Sequence, residues 1–211
     1  MRHTVVCISS EDGAGAQDAA PIVAKELGYR VINEDIVMRA ALEAGVERDV
    51  VADVEKRKSR LLRIIEGLGP AGLAAGYVPA EATLAFNQVP SDDLRSLIRT
   101  VIEETASTGS TVIVAHAASH ALADRQDVLR VLVTASPATR VRRVAATANI
   151  DEKEAARIVK KGDAGRADYI QRFYGVSAEL PTHYDIVINT DKLDPQEAAH
   201  LIVQAALGGD S

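Results

Sequence analysis

The residues of this 211-residue chain best placed to do chemistry lie near its start, in Ser10-Glu11-Asp12-Gly13-Ala14-Gly15-Ala16-Gln17. Two glycines in a run of small residues let a backbone approach a ligand closely. If a strand leads in and a helix leads out, the amides at the helix start attract an anion, the ordinary cradle of a nucleotide phosphate. Gly13, Ala14, Gly15, Ala16 and Gln17 are therefore the candidate phosphate-binding residues. No Gly-Lys-Ser/Thr follows, so the lysine and the Mg²⁺-binding hydroxyl of a full phosphate-loop signature are missing from their usual places. Glu34 and Asp35 follow a second apolar run, where ligands of α/β sheets sit; Asp35 can face an acceptor or cap a helix. Lys56, Arg57, Lys58, Arg60 and Arg63 concentrate positive charge on one helical segment. They read as a solvated face paired with Glu55 and Glu66, or as a site for a substrate phosphate contacted by Arg57 and Arg60. The single cysteine, Cys7, reads as a small core residue, and the sequence offers no metal-ligand pattern.

The elements that must position these residues are legible in the hydropathy pattern. Thr4 to Ser9 is a short β-branched run suited to a strand buried on both faces. Ala20, Val23, Ala24 and Leu27 mark one face of a following helix that stops at Gly28. Pro21 bears on where that helix starts: with Asp18 as N-cap, proline falls in the tolerated first turn, and a carboxylate occupies the place a phosphate would need. Further strands are expected over 29–33, 110–115, 128–134 and 184–189, alternating with helices. Leu94, Leu97, Ile98, Val101 and Ile102 form an amphipathic stripe after Ser91. Ser136-Pro137 starts a helix with Val141, Val144, Ala145 and Ala148 facing inward and Arg140 and Arg143 on a neighbouring face. Asp151 with Glu154 starts another that ends at Gly162, followed by a polar helix from Asp163 to Tyr174. Asp194 to Glu197 opens the last helix, through Leu207. Between them, residues 67–90 hold glycines and prolines that break any long element and suit a lid, a subdomain or a surface for self-association. Alternating strands and helices predict an α/β fold with a parallel central sheet flanked by helices.

Hydrophobic residues at 47% and charged residues at 26% fit a soluble globular chain. With aromatics at 3% and no tryptophan, the core must rest on Ala, Val, Leu and Ile. A net charge of −6 argues against a nonspecific nucleic-acid partner. No signal peptide or membrane-length apolar run is visible, so a cytoplasmic location and no membrane partner are expected.

In the order and spacing of several segments the chain resembles the cytidylate kinase-like family. Residues 8–17 resemble its opening, typically Ile-Ser-Arg-Glu-Tyr/Phe-Gly-Ser-Gly-Gly-Arg. Residues 133–143 are similar to the segment leading into the lid, Asp163-Ala164-Gly165-Arg166 to the lid's Asp-x-x-Arg, and residues 185–193 to the last strand and its Asn/Asp-Thr turn. The resemblance implies one phosphate-loop kinase domain over 1–211, with a nucleoside monophosphate-binding helical subdomain at about 45–90 and a helical lid at about 150–175. It implies ATP-dependent phosphorylation of a CMP-like nucleoside monophosphate, with ATP and Mg²⁺ as cofactors and nucleotides as partners. Arg140 and Arg166 would clamp phosphates as catalytic residues, Asp163 would orient the lid arginine, and Arg157 would be a further substrate-binding residue of the lid.

The departures from that pattern remove positive charge. Ser10 and Gln17 stand where arginine is usual, Ala16 restricts a glycine position, and Ala115-His116-Ala117-Ala118 replaces a segment with arginine. Together with Asp18 they predict a loop that keeps its shape and binds nucleotide weakly or not at all. The alternative is a non-catalytic domain with the same fold that binds or self-assembles, through residues 67–90. A third reading, an NAD(P)-binding oxidoreductase, rests on Gly13-x-Gly15 with Asp35 about twenty residues on, and is opposed by Asp18 at the third glycine position.

Overall fold

The computed structural model describes residues 3–33, 91–115 and 118–208, with the backbone alone for 91–95 and 97. The chain divides into two compact units, Met1–Val31 with Ser110–Ser211, and Ile32–Gly109. Five strands, β1 (Val5–Ser10), β2 (Arg30–Asn33), β3 (Thr111–Val114), β4 (Val128–Thr134) and β5 (Ile186–Asn189), form one sheet in the order β2-β3-β1-β4-β5. β1 pairs in parallel with β3 on one side and β4 on the other, and β4 with β5. The helices are α1 (Ala16–Leu27), α2 (Ser91–Ser107), α3 (Ala118–Ala121), α4 (Pro137–Ala148), α5 (Glu152–Tyr174) and α6 (Pro195–Leu207). This is the parallel α/β sheet that the alternation predicts.

β1 is central because it is apolar on both faces: Val5, Val6, Cys7 and Ile8 are fully buried. Burial also pushes the Cys7 thiol up to about 12, which leaves it an inert core residue. With neighbours on both sides, β1 delivers the chain to a switch point at the C-terminal edge of the sheet, where α/β folds place ligands. Beneath that edge, α1 packs against α6, with Ala19, Ala20, Val23 and Ala24 on one helix and Ala198, Ala199, Ile202 and Val203 on the other, all in one core cluster. Alanine lets these helices approach closely, which is how a core almost without aromatics is filled. In the second unit α2 buries Ile98, Val101 and Ile102 and pairs Arg99 with Glu103 at 2.7 Å across one turn.

The helix starts follow their caps. The Ser136 hydroxyl accepts the Thr139 amide with Pro137 at the first position, and Asp194 and Glu197 close a reciprocal capping box at 2.8 and 2.9 Å. Asp151 accepts the Glu154 amide at 2.8 Å, while the Glu154 carboxylate turns to Arg157.

Three local expectations are corrected. α1 starts at Ala16 with Gly15, not Asp18, as N-cap, because Gly15 adopts the left-handed conformation (φ 93°) that turns the chain into the helix. Pro21 thus lies inside α1 and removes the bond to the Gln17 carbonyl, a loss on the exposed side of the helix. Secondly, α5 is one 23-residue helix running through Gly162. Gly162 does not stop it; a Cβ there would lie 2.0 Å from the Asp12 Oδ2, so the missing side chain lets α5 lie against the loop. Lastly, the buried residues of α4 are Thr139 and Arg140, while Val141, Val144 and Ala145 are half-buried and Ala148 is exposed. The inner side of α4 is given to arginine rather than to an apolar stripe.

Candidate functional site

The loop between β1 and α1 is shaped by two left-handed glycines, Gly13 at φ 77° and Gly15 at φ 93°. The Ala14 amide donates to the Glu11 carbonyl at 3.0 Å, closing a turn, and the Ala14 methyl is fully buried. The Asp18 and Ala19 amides donate back to the Gly15 carbonyl at 3.3 and 3.2 Å. The amides of Gly15, Ala16 and Gln17 are left with no acceptor among the described residues, the condition of a helix start that takes an anion. Ala16, unlike the two glycines, has ordinary backbone geometry and a buried methyl, so alanine costs the loop nothing there.

Behind the loop, three arginines take its carbonyls. Arg166 Nη1 donates to the Ser10 carbonyl at 3.0 Å and Arg140 Nε to that of Asp12 at 2.8 Å. Arg143 Nη1 reaches the carbonyls of Gly13 and Ala14, each at 3.3 Å. Carbonyls held on one side leave the neighbouring amides facing the other, so these side chains build the concavity without entering it.

Each clamp is itself anchored. Arg140, 2% exposed, is held by Asp163 through Nη1 at 3.1 Å and Nη2 at 2.5 Å, with Glu11 at 3.5 Å. Arg166, 7% exposed, makes a two-pronged pair with Glu179 at 2.6 and 2.7 Å, and the Tyr184 hydroxyl donates to the same carboxylate. Burial pushes the Glu179 carboxyl up, but the hydrogen bonds from Arg166 and Tyr184 outweigh it and hold the group below its ordinary value. Burial and the Glu179 carboxylate both push the Tyr184 phenol up. At the end of β5 the Thr190 hydroxyl donates to the Ala14 carbonyl at 2.6 Å and accepts from Arg143 Nη1 at 2.9 Å, while Arg143 Nη2 takes the Thr190 carbonyl at 2.6 Å. A cavity of about 200 Å³ opens beside the loop, lined among others by Glu11, Asp163, Arg166, Ser177 and Glu179.

Arg140, Asp163 and Arg166 are thus brought together with Gly13 to Gln17. Arg157 is not: it stands exposed on α5, paired with Glu154 at 3.1 Å. Asp35, Arg57 and Arg60, with Glu34, His116 and the stretch 67–90, lie outside the described residues. Sequence reasoning missed Thr190 and Glu179 as parts of the site and left Arg143 without a role. The spacing of Arg140 and Arg143, one helical turn apart, was a signal for the latter; Glu179 offered none.

Among the described residues no three His, Cys, Asp or Glu side chains are grouped to hold a metal ion. Gln17 and Asp18 stand at the helix start in place of a hydroxyl. These residues fit a phosphate anion and offer no hydroxyl at the helix start for a Mg²⁺ ion. The exposed Asp18 carboxylate, at the third position of α1, makes no capping bond and repels an anion at the same helix start. Asp18→Asn is therefore expected to tighten pyrophosphate binding roughly two- to fivefold at low salt, with the gain shrinking at high salt. Calorimetric titration at two ionic strengths checks it; unchanged affinity places the anion elsewhere.

A central parallel strand that runs through a left-handed glycine turn into a helix with open amides defines the phosphate-loop class of α/β nucleotide-binding folds. Within that class the chain belongs to the Cytidylate kinase-like family, whose model matches residues 5–192. It is 28% identical over 205 residues to a cytidylate kinase of Ignicoccus hospitalis, covering 97% of this chain and 99% of that one. Its fold is similar to that of an uncharacterized protein from Eubacterium ventriosum, with a TM-score of 0.68 at 18% identity over 96% of this chain and 97% of that one. It is also similar to TT1252 from Thermus thermophilus, with a TM-score of 0.52 at 19% identity over 99% and 100% of the two chains. Family and fold support a kinase-like, nucleotide-binding protein, and leave the oxidoreductase reading without support. No helix among the described residues is long and apolar enough to cross a membrane.

Proposed function

We propose that the chain transfers a phosphoryl group from ATP to a nucleoside monophosphate of the CMP type. The observation that carries this reading is the set of open amides at Gly15, Ala16 and Gln17, held toward one side by arginines on the carbonyls of the other. Such chemistry asks a protein mainly to hold two anionic substrates in line and to neutralise developing charge. The loop amides would hold the donor phosphates, and Arg140 and Arg166 would serve as phosphate clamps once their carboxylate partners release them. Mg²⁺ would supply charge neutralisation on the nucleotide phosphates, and no described residue is assigned to it.

One observation favours a second reading, a binding module without turnover. Both candidate catalytic arginines are already engaged, Arg140 by Asp163 and Arg166 by Glu179. Calorimetry with ATP·Mg²⁺ on wild type and Arg166→Ala, beside a coupled assay of ADP release with CMP, separates the two. Binding and turnover in wild type, with turnover lost in the variant, support the kinase. Binding without turnover supports the module, and no binding by wild type removes the kinase while leaving a module whose partner is not this nucleotide.

A further inference from the structure

Ser10 and Gln17 leave the loop itself without a cationic side chain, and an anion at its open amides must bind against the Asp18 carboxylate on the same helix start. Of the three arginines behind the loop, two have their charge offset: Arg140 by Asp163 and Glu11, Arg166 by Glu179. Arg143 differs. Its hydrogen bonds go to the neutral acceptors Gly13, Ala14 and Thr190, and no carboxylate lies within ion-pair distance of it among the described residues. It is also close: a Cβ built on Gly15 would sit 3.6 Å from Arg143 Nη1, so the charge lies directly under the glycine that leads into the open amides.

We propose that Arg143 is a positioning residue that makes this loop anion-selective, supplying from behind the backbone the positive charge that the loop's own side chains lack. The inference rests on the loop being a phosphate site. It follows from the anchoring: Thr190, 3% exposed, fixes both ends of the guanidinium fork, so the charge cannot swing out to solvent. A loop one backbone thick keeps that charge within about 7–8 Å of a bound phosphate, and at screening intermediate between a protein surface and bulk water one such charge alters anion affinity on the order of tenfold. The same hydrogen bonds pull the Gly13 and Ala14 carbonyls away from the anion, which removes the nearest opposing dipoles.

The test is calorimetric titration of the full chain with inorganic pyrophosphate, with a melting curve for each variant. Arg143→Gln keeps hydrogen-bonding capacity and loses the charge; affinity is expected to fall about tenfold. Arg143→Lys loses the fork and keeps the charge; affinity is expected to stay within about threefold of wild type, although the melting temperature falls as it does for Arg143→Gln. A glutamine variant that binds as tightly as wild type overturns the proposal. So does a lysine variant as weak as the glutamine one, because the role is then structural support alone. Should Arg143→Gln not fold, the lysine variant decides: a tenfold loss or more overturns the proposal. A wild type that binds no pyrophosphate instead defeats the phosphate-site reading, and this inference with it.

Discussion

Gly13→Ala is expected to abolish pyrophosphate binding and to lower the melting temperature by roughly 6–12 °C, from a loss of about 3 kcal/mol at 2–4 °C per kcal/mol for a chain of this size. Two separate costs meet at this position. The left-handed φ of 77° costs an L-residue about 1–2 kcal/mol, and the new Cβ would lie 2.6 Å from the Arg140 carbonyl oxygen. That oxygen belongs to the backbone of α4 and cannot rotate away; relief requires the loop to lift, which breaks the Arg140 and Arg143 contacts beneath it. Gly15→Ala is the control. Its φ of 93° carries the same kind of conformational cost, but its nearest neighbour is the Arg143 Nη1 at an ordinary 3.6 Å. The expected loss there is about 1–2 kcal/mol, with the loop still seated. A Gly13→Ala variant that melts no lower than Gly15→Ala would show that α4 does not press on the loop.

The contrast between these glycines also shows what a sequence can and cannot disclose. The glycine loop, the buried β1 before it and the helix after it are local features, and hydropathy with turn chemistry located all three. The α1 start is set by the left-handed backbone of Gly15, which residue type alone does not reveal, whereas the cost of an interior proline points to a start at Asp18. Gly162 reads as a helix stop in the sequence, yet its reason for being glycine is Asp12, 150 positions earlier in the chain. Arginines at 140, 143 and 166 stood out as charges, but their targets are carbonyls of Ser10, Asp12, Gly13 and Ala14, and a carbonyl has no signature in sequence. Glu179 was invisible for the same reason: it matters only because the fold sets it against Arg166 and Tyr184. Family resemblance supplied Arg140 and Arg166 as phosphate clamps with Asp163 orienting the lid arginine; the geometry corrects this, setting Asp163 on Arg140 and Glu179 on Arg166, and gives both arginines a prior duty to the loop backbone.

That duty sets the second large effect. Glu179→Ala leaves Arg166 buried without its carboxylate and is expected to cost about 3–5 kcal/mol. The cost should be pH-dependent in a definite direction. The folded-state pKa of Glu179 is depressed below the ordinary value, despite burial that pushes it up, by Arg166 and Tyr184. The ionised pair therefore stabilises the fold fully above the unfolded carboxyl's pKa of about 4.3, and its contribution is lost as pH falls through the lower folded value. Denaturant unfolding of wild type and Glu179→Gln should accordingly converge in acid and diverge toward neutrality; a constant difference would mean that the ion pair contributes nothing. Replacing both partners separates stability from function. Arg166→Met with Glu179→Met removes a buried ion pair in favour of apolar contact, which commonly recovers the lost stability. It does not restore a donor to the Ser10 carbonyl, now held by Arg166 Nη1. The double variant is thus expected to melt near wild type yet bind pyrophosphate several-fold more weakly, because the first carbonyl of the loop is free to turn and carry the amides after it out of line.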